Sequence, residues 1–372
     1  MARPLLVFCA GTPWEGLAGS DRLLATALLR HADVLFVDPP LSVLRSGGQL
    51  TPKLTGIGEP MSHLVTVVPP FHTRVGVRQA VGPIVRRQIG WALSKLDRRP
   101  YAVVDCRLGG LLGGWGEGVR DVLYATDDFV AGAQLMGLDV EHVRTLEAKS
   151  ARLADLVACV SPLVEEHWAA LGARDVFALP NGVNTAAYAD LANVPPAADV
   201  DLPGPIAGVV GHLSARIDMD LLEAVAAQGI SLLLVGPVDP RWEPERFAAL
   251  VERKNVSWLG RKPYEEMPAY LKVIDVGLTP YADTQFNRAS FPLKTLEYLG
   301  AGRSVVSTDL PATRWLDTPF IQVATGPAEF AAAVVAAVAD PRPELFEARR
   351  AYAEGHSWPA RADRLAKALS LQ

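Results

Sequence analysis

SFPLKTLEYLGAGRSVVSTDLP, residues 290–311, reads as a short helix followed at once by a buried strand. Pro292 suits an early helical position, where its missing N–H has no intrahelical partner to lose, and Gly300 or Gly302 can supply the left-handed stop. SVVST, 304–308, is uncharged and centred on the β-branched pair Val305 and Val306, as suits a buried strand. Lys294 stands out because a cation in the first helical turn opposes the positive end of the helix dipole. A bound anion reverses that sign. The N–H groups of Leu293 and Lys294, the dipole and the ammonium would then converge on one phosphate or diphosphate. Glu297, one turn on and on the same side, accepts hydrogen bonds when ionised. A diphosphate beside a carboxylate that grips hydroxyls is what a nucleotide-sugar site needs. The competing reading is a surface ion pair at a spacing of three, which contributes little.

The chain has 372 residues, too many for one ordinary core, so two domains are expected. A net charge of -5 argues against a general nucleic-acid binder. Residues 1–180 hold 18 basic and 18 acidic side chains, so the whole deficit falls in residues 181–372. Cys9, Cys106 and Cys159 are far apart and sit in or beside apolar runs; they read as buried thiols of a reducing, cytoplasmic compartment. MARPLLVFCAGTPW has the look of a short leader, but its apolar run breaks at Gly11 and Pro13, and a first strand with its turn is expected instead. No window approaches a membrane span, and no His, Asp or Glu cluster has metal spacing.

Short β-rich runs alternate with amphipathic segments along most of the chain. Strands are expected at 5–10, 34–38, 64–68, 101–105, 122–126, 156–161 and 176–180, with helices at about 20–31, 76–97, 140–154 and 162–172. The pattern repeats at 206–211, 231–236, 256–260, 276–281, 304–308 and 320–324. Continuous apolar strands separated by helices imply α/β domains with doubly wound parallel sheets and ligands at the carboxyl ends of the strands. YADLANVPPAADVDLPGP, 188–205, reads as an interdomain linker. The glycine-dense CRLGGLLGGWGEG, 106–118, lacks a dinucleotide or P-loop fingerprint and is expected to be a connecting loop with a short helix. GTPWEGLAGSDR, 11–22, can bring the amides of Gly16 and Leu17 to the site, with Ser20 or Asp21 capping the next helix; a plain strand-to-helix turn is the alternative.

LPNGVN (179–184), VVGHLSARIDMDLLEAV (209–225), WLGRKPYEEMPAYL (258–271) and the opening stretch together resemble retaining glycosyltransferases of family 4. TPWEGL, VLFVDPP and YATDDF extend the resemblance more loosely into the first half. It implies a GT-B fold: a Rossmann-like acceptor domain over about 1–190, a Rossmann-like donor domain over about 200–350, and a last helix, about 355–372, returning to the first domain. The family's Glu-x7-Glu pair puts its second glutamate, the ribose contact, on Glu297. Its first falls on Ala289, which leaves the transferred sugar unread. The family's basic pair lies on the loop after the first strand of the second domain. His212 stands here where an arginine is common, and Arg216 one position before the usual lysine. The resemblance thus implies a diphosphate clamp of Arg216 and Lys294 with His212 as helper, and donor contacts from Gly211, Ser290, Pro292 and Leu293. Arg261 follows a strand where the nucleobase docks. Asp127 and Asp128 end the VLYAT strand, where relatives place a residue near the acceptor and the transferred sugar. Neighbours on an extended chain point oppositely, so one should face the site and the other act as a cap.

The family implies attack by an acceptor hydroxyl with retained stereochemistry, a nucleotide-sugar donor as co-substrate, and leaving-group charge held by cations with no metal or other cofactor required. The acceptor stays open between a small molecule and a lipid-linked carrier. Residues 74–99 hold seven basic side chains against one acid, interleaved with apolar ones; this is either peripheral membrane contact or a core-packed helix with a solvated basic face. Two other classes remain at this stage: a GT-B nucleotide-sugar epimerase, and an inactive partner of a glycosyltransferase.

Overall fold

The computed structural model describes residues 3–15, 19–48, 50–72, 74 and 76–371. The chain forms two compact units, Met1–Asn181 with Trp358–Gln372, and Gly182–Ser357.

The first unit carries β1 (Leu5–Cys9), β2 (Asp33–Val37), β3 (Leu41–Ser42), β4 (Lys53–Thr55), β5 (Met61–Val65), β6 (Val67–Val68), β7 (Ala102–Asp105), β8 (Arg120–Ala125), β9 (Leu156–Cys159) and β10 (Val176–Ala178). Eight of them form one sheet in the order β10-β9-β8-β7-β1-β2-β5-β4, parallel except for β4 against β5, while β3 and β6 pair separately. Its helices are α1 (Ser20–Leu28), α2 (Arg78–Leu96), α3 (Phe129–Met136), α4 (Val140–Leu153) and α5 (Pro162–Ala170), joined by the helix Trp358–Ala368. β1 explains the continuous apolar runs. Leu6 and Phe8 face a core with Leu24, Leu28 and Leu365, whereas Leu5, Val7 and Cys9 face another with Val85 and Ile89. Alternate residues of one central strand thus serve two helical layers.

The second unit has six parallel strands: β11 (Ile206–Val210), β12 (Ser231–Val235), β13 (Val256–Trp258), β14 (Val276–Thr279), β15 (Ser304–Thr308) and β16 (Ile321–Ala324). Their order, β13-β12-β11-β14-β15-β16, is the Rossmann order, and it reverses between β11 and β14. The helices are α6 (Met219–Ala227), α7 (Pro244–Val251), α8 (Met267–Val273), α9 (Gln285–Ala289), α10 (Leu293–Gly300), α11 (Pro311–Leu316), α12 (Gly326–Ala339) and α13 (Phe346–Glu354), after which Trp358–Ala368 is α14.

Several details differ from the sequence expectation. Pro292 is the residue before α10 rather than its first turn, and Gly302, at φ +75°, makes the left-handed stop. A side chain at Gly302 would run into the Phe346 ring, its Cβ 2.3 Å from the nearest ring carbon. Residues 188–205 are not a free connector: Ala197 N–H donates to Ala269 O, Lys272 Nζ to Ala192 O and Val194 O, and Tyr270 Oη to Asp199. These bonds tie the segment to α8, and the unit boundary runs between Asn181 and Gly182. The 106–118 loop contains no helix. Its carbonyls turn inward instead onto Arg86 of α2, which donates to Gly113 O at 2.6 Å, Leu111 O at 2.9 Å and Leu112 O at 3.2 Å, with the Trp115 ring 4.5 Å away. Gly19, not Ser20 or Asp21, stands at the cap of α1. Asp21 reaches back to accept from the Gly11 and Thr12 N–H groups at 2.7 and 2.8 Å.

Candidate functional site

The strand order of the second unit puts its ligand position at the carboxyl ends of β11 and β14. Gly211, Gly236 and Gly260 follow β11, β12 and β13 and form a flat shelf there. The Gly211 N–H donates to Val235 O at 2.9 Å and the Gly236 N–H to Gly260 O at 2.8 Å. Gly236 has φ +143°, and a Cβ on it would lie 1.8 Å from Gly211 O, so no other residue fits. A Cβ on Gly211 would lie 3.5 Å from Lys294 Cε, which places that side chain directly over the shelf.

Lys294 Nζ lies 2.6 Å from Glu297 Oε2, and the Glu297 side chain is only 8 % exposed. The pair is therefore more than a solvated surface contact. Burial works against the Lys294 ammonium, but the charge of Glu297 and its hydrogen bond outweigh it and hold the group above its ordinary range. Tyrosines surround the carboxylate. Tyr188, Tyr264 and Tyr298 are all raised, first by burial and then in part by Glu297, so each keeps its hydroxyl proton at neutral pH. Tyr264 also shares hydrogen bonds with Asn184 and Tyr188.

Arg216 is held differently. Its Nε donates to Asn287 Oδ1 at 3.0 Å, and Asn287 Nδ2 donates to Arg216 O and Ala282 O, both at 2.8 Å. The guanidinium lies 4.9 Å from the centre of the Phe286 ring and 5.6 Å from that of Tyr281. Among the described residues no carboxylate pairs with it. Burial raises the Tyr281 phenol while Arg216 and Lys294 pull it down, so this one side chain feels both cations. Arg216, Tyr281, Asn287, Ser290 and Pro292 line one small hollow. Arg216 and the Tyr281 phenol thus line the hollow, while Lys294, paired with Glu297, lies over the glycine shelf and still acts on the same phenol.

The second unit thus brings together Gly211, Arg216, Ser290, Pro292, Lys294 and Glu297. Ser290 is turned inward, its Oγ donating to Phe286 O at 2.8 Å. The Leu293 N–H does not point at an anion: it donates to Phe291 O at 2.9 Å, because Pro292 breaks the approach to the helix. The Lys294 N–H meets no backbone acceptor among the described residues. His212 is exposed, near enough to Asp239 to help keep its carboxyl at about 2, chiefly the work of Arg241. Arg261 is exposed after Gly260, and its neighbour Lys262 is bound to Asp199 at 2.5 Å. In the first unit Asp128 is the cap of α3, accepting from the Ala131 N–H at 2.9 Å, while Asp127 beside it is half-buried. Gly16 and Leu17 lie outside the described residues. Asn287 and Tyr281 were missed by sequence reasoning. The strand-plus-glycine repeat VVG, LVG, WLG was the visible sign of the shelf.

Two Rossmann-like units of this topology define the GT-B fold, and comparison with known proteins agrees. Residues 205–340, which include Gly211, Arg216, Ser290, Pro292, Lys294 and Glu297, match the family model described as glycosyl transferases group 1. TuaH of Bacillus subtilis, named as a teichuronic acid biosynthesis glycosyltransferase, is 28 % identical over 226 residues, 58 % of this chain and 57 % of its own length. The match thus spans little more than half of that relative. Among solved structures, sucrose-phosphate synthase of Thermosynechococcus elongatus superposes with a TM-score of 0.74 at 19 % identity over 99 % of this chain and 98 % of its own. HepE of Anabaena, in complex with UDP and glucose, gives 0.66 at 15 % identity over 100 % of both chains. At such identities these structures establish the fold alone.

Proposed function

We propose that this protein is a retaining glycosyltransferase that moves a sugar from a nucleoside-diphosphate sugar to an acceptor hydroxyl, in bacterial-type glycan or secondary-metabolite glycoside assembly in the cytoplasm. The observation that carries the reading is Arg216: a guanidinium held through Nε by a neutral amide, without a carboxylate partner among the described residues, lining a hollow with Tyr281, a phenol that also feels the Lys294 charge. The family model on residues 205–340 and the UDP in the HepE structure support the same assignment.

In this reading the diphosphate lies over the Gly211–Gly236 shelf between Arg216 and Lys294, and Glu297 accepts from the ribose hydroxyls. As the glycosidic bond to the donor breaks, charge grows on the departing phosphate. The two cations and the start of α10 are placed where that charge develops, so they lower the barrier without reorganising and without a divalent ion. The departing phosphate takes the acceptor proton, which accounts for a site built of cations rather than around a strong base. The acceptor is a small molecule or a lipid-linked carrier bound by the first unit.

Calorimetric titration with UDP, GDP and dTDP tests the donor half, and product analysis with the matching sugar nucleotide and EDTA tests the rest. Binding of one diphosphate that weakens at least about tenfold in Lys294→Met is expected. Equal affinity in the variant would remove the clamp from the account.

A further inference from the structure

Four of the seven cations in residues 74–99 are engaged inside the fold: Arg78 with Asp139, Arg86 with loop carbonyls, Arg98 with Asp33 and Arg99 with Glu117 O. The helix face that the sequence singled out is therefore largely structural. A different surface of the same unit is not. β3 and β6 run parallel, with Leu41 opposite Val67, and the Val43 N–H donates to Val68 O at 3.0 Å, so the segments leaving these strands start side by side. Lys53 stands opposite Val65, which brings the start of β4 to that same end and sends the β4–β5 turn, with Glu59, to the other.

Leu44, Leu50 and Phe71 lie on the segments that join these strand ends, with 69 %, 79 % and 57 % of their surface exposed. Arg45, Lys53 and Arg74 accompany them, exposed and without an ion-pair partner among the described residues. Phe71 holds φ +58°, which bulky residues avoid, while its ring turns outward with the Arg74 guanidinium 4.6 Å from its centre. Core packing does not account for that conformation. Large apolar side chains on protruding segments, ringed by free cations with no acid among them, match what a charged bilayer takes up: cations on lipid phosphates, Leu and Phe at the acyl boundary. A second copy of the chain suits the patch poorly, since a two-fold contact of a patch whose only charges are cations would bring cation against cation.

We propose that the end of the first unit formed by the segments following β3 and β6 docks on an anionic lipid surface. Flotation of the full chain with vesicles of phosphatidylglycerol and phosphatidylcholine, against phosphatidylcholine alone, tests this. The expected result is recovery with the anionic vesicles only, falling as salt rises. Arg45→Glu/Arg74→Glu should lower the partition coefficient at least about tenfold. Leu44→Ser/Phe71→Ser should abolish the part that survives high salt, and Lys254→Glu on the other unit should change nothing. All these side chains are exposed, so an unchanged Tm and unchanged UDP binding separate loss of docking from unfolding and from any failure of the glycosyltransferase reading. Equal flotation of wild type and both double variants, no flotation at low salt, or a dimer in sedimentation that Leu44→Ser/Phe71→Ser dissolves would each overturn the proposal.

Discussion

Asn287→Asp changes one atom type at the centre of the proposed clamp, and its consequences follow from the geometry. Asn287 is 3 % exposed, and its Nδ2 is identified by two carbonyl acceptors, Arg216 O and Ala282 O, at 2.8 Å each. A carboxylate there can donate to neither. Losing two buried hydrogen bonds costs about 2 kcal/mol, and strengthening the Arg216 Nε contact into a charge-assisted one returns about 1 kcal/mol, so the fold should lose only about 1 kcal/mol. The effect on binding is larger because Arg216 would then be neutralised from within. A charge-assisted bond to a phosphate is worth about 2 kcal/mol, so the Kd for a nucleoside diphosphate should rise roughly thirtyfold. Calorimetry on Asn287→Asp, Arg216→Gln and the double variant reads this directly. If Asn287 acts through Arg216, the double variant loses no more than Arg216→Gln alone. Additive losses would show that Asn287 does not act through Arg216, and wild-type affinity in Arg216→Gln would show that Arg216 does not hold the phosphate.

Lys294→Met should cost stability as well as affinity, because it leaves the 8 %-exposed Glu297 without its cation; Lys294→Met/Glu297→Gln should recover the Tm but not the nucleotide binding, as thermal shift with and without UDP would show. Glu147 is raised first by burial, against the pull of His167. Its folded pKa above the unfolded one favours the fold at low pH, and that contribution is lost as pH rises through the folded value, so Glu147→Gln should flatten the fall in Tm as pH rises above the ordinary glutamate range. Gly236→Ala must displace Gly211 O, since its Cβ would sit 1.8 Å away; loss of more than about 2 kcal/mol in denaturant titration is expected. Cys9, Cys106 and Cys159 are buried, which pushes each thiol far above its usual value, so maleimide labelling of the native protein should be negligible and become complete in guanidinium chloride.

The sheets were legible because doubly covered strands carry short apolar runs without an alternating polar face, a signal that needs no knowledge of distant partners. β1, β8, β11 and β15 each fall within a residue or two of the expected spans. α3 was not seen: FVAGAQLM carries three small residues and no charge, so it shows no polar face. β3 and β6 have two residues each, too few for any alternation to register. In the site, Lys294 and Glu297 were readable because both lie within one turn of one helix. Arg216 could be placed but not oriented, since its fixing partner, Asn287, is 71 positions away on a helix of five residues. The basic run at 74–99 stayed open between its two readings for the same reason: Asp139, Asp33 and the carbonyls at 111–113, which favour the packed helix, come to it only through the fold.

The first unit is made of Met1–Asn181 together with Trp358–Gln372, so the second unit is inserted into it. α14 supplies Leu365 and Ala366, fully covered or nearly so, to the core beneath Leu6 and Phe8. On the ribosome, then, the earlier-made unit must wait with one face of its sheet covered by α1 but not yet by α14 until the later-made unit has emerged whole, a reversal of the usual order of maturation. During that interval the nascent chain leaves part of that apolar layer open, which makes the stretch before α14 the point in synthesis where a chaperone has most to shield.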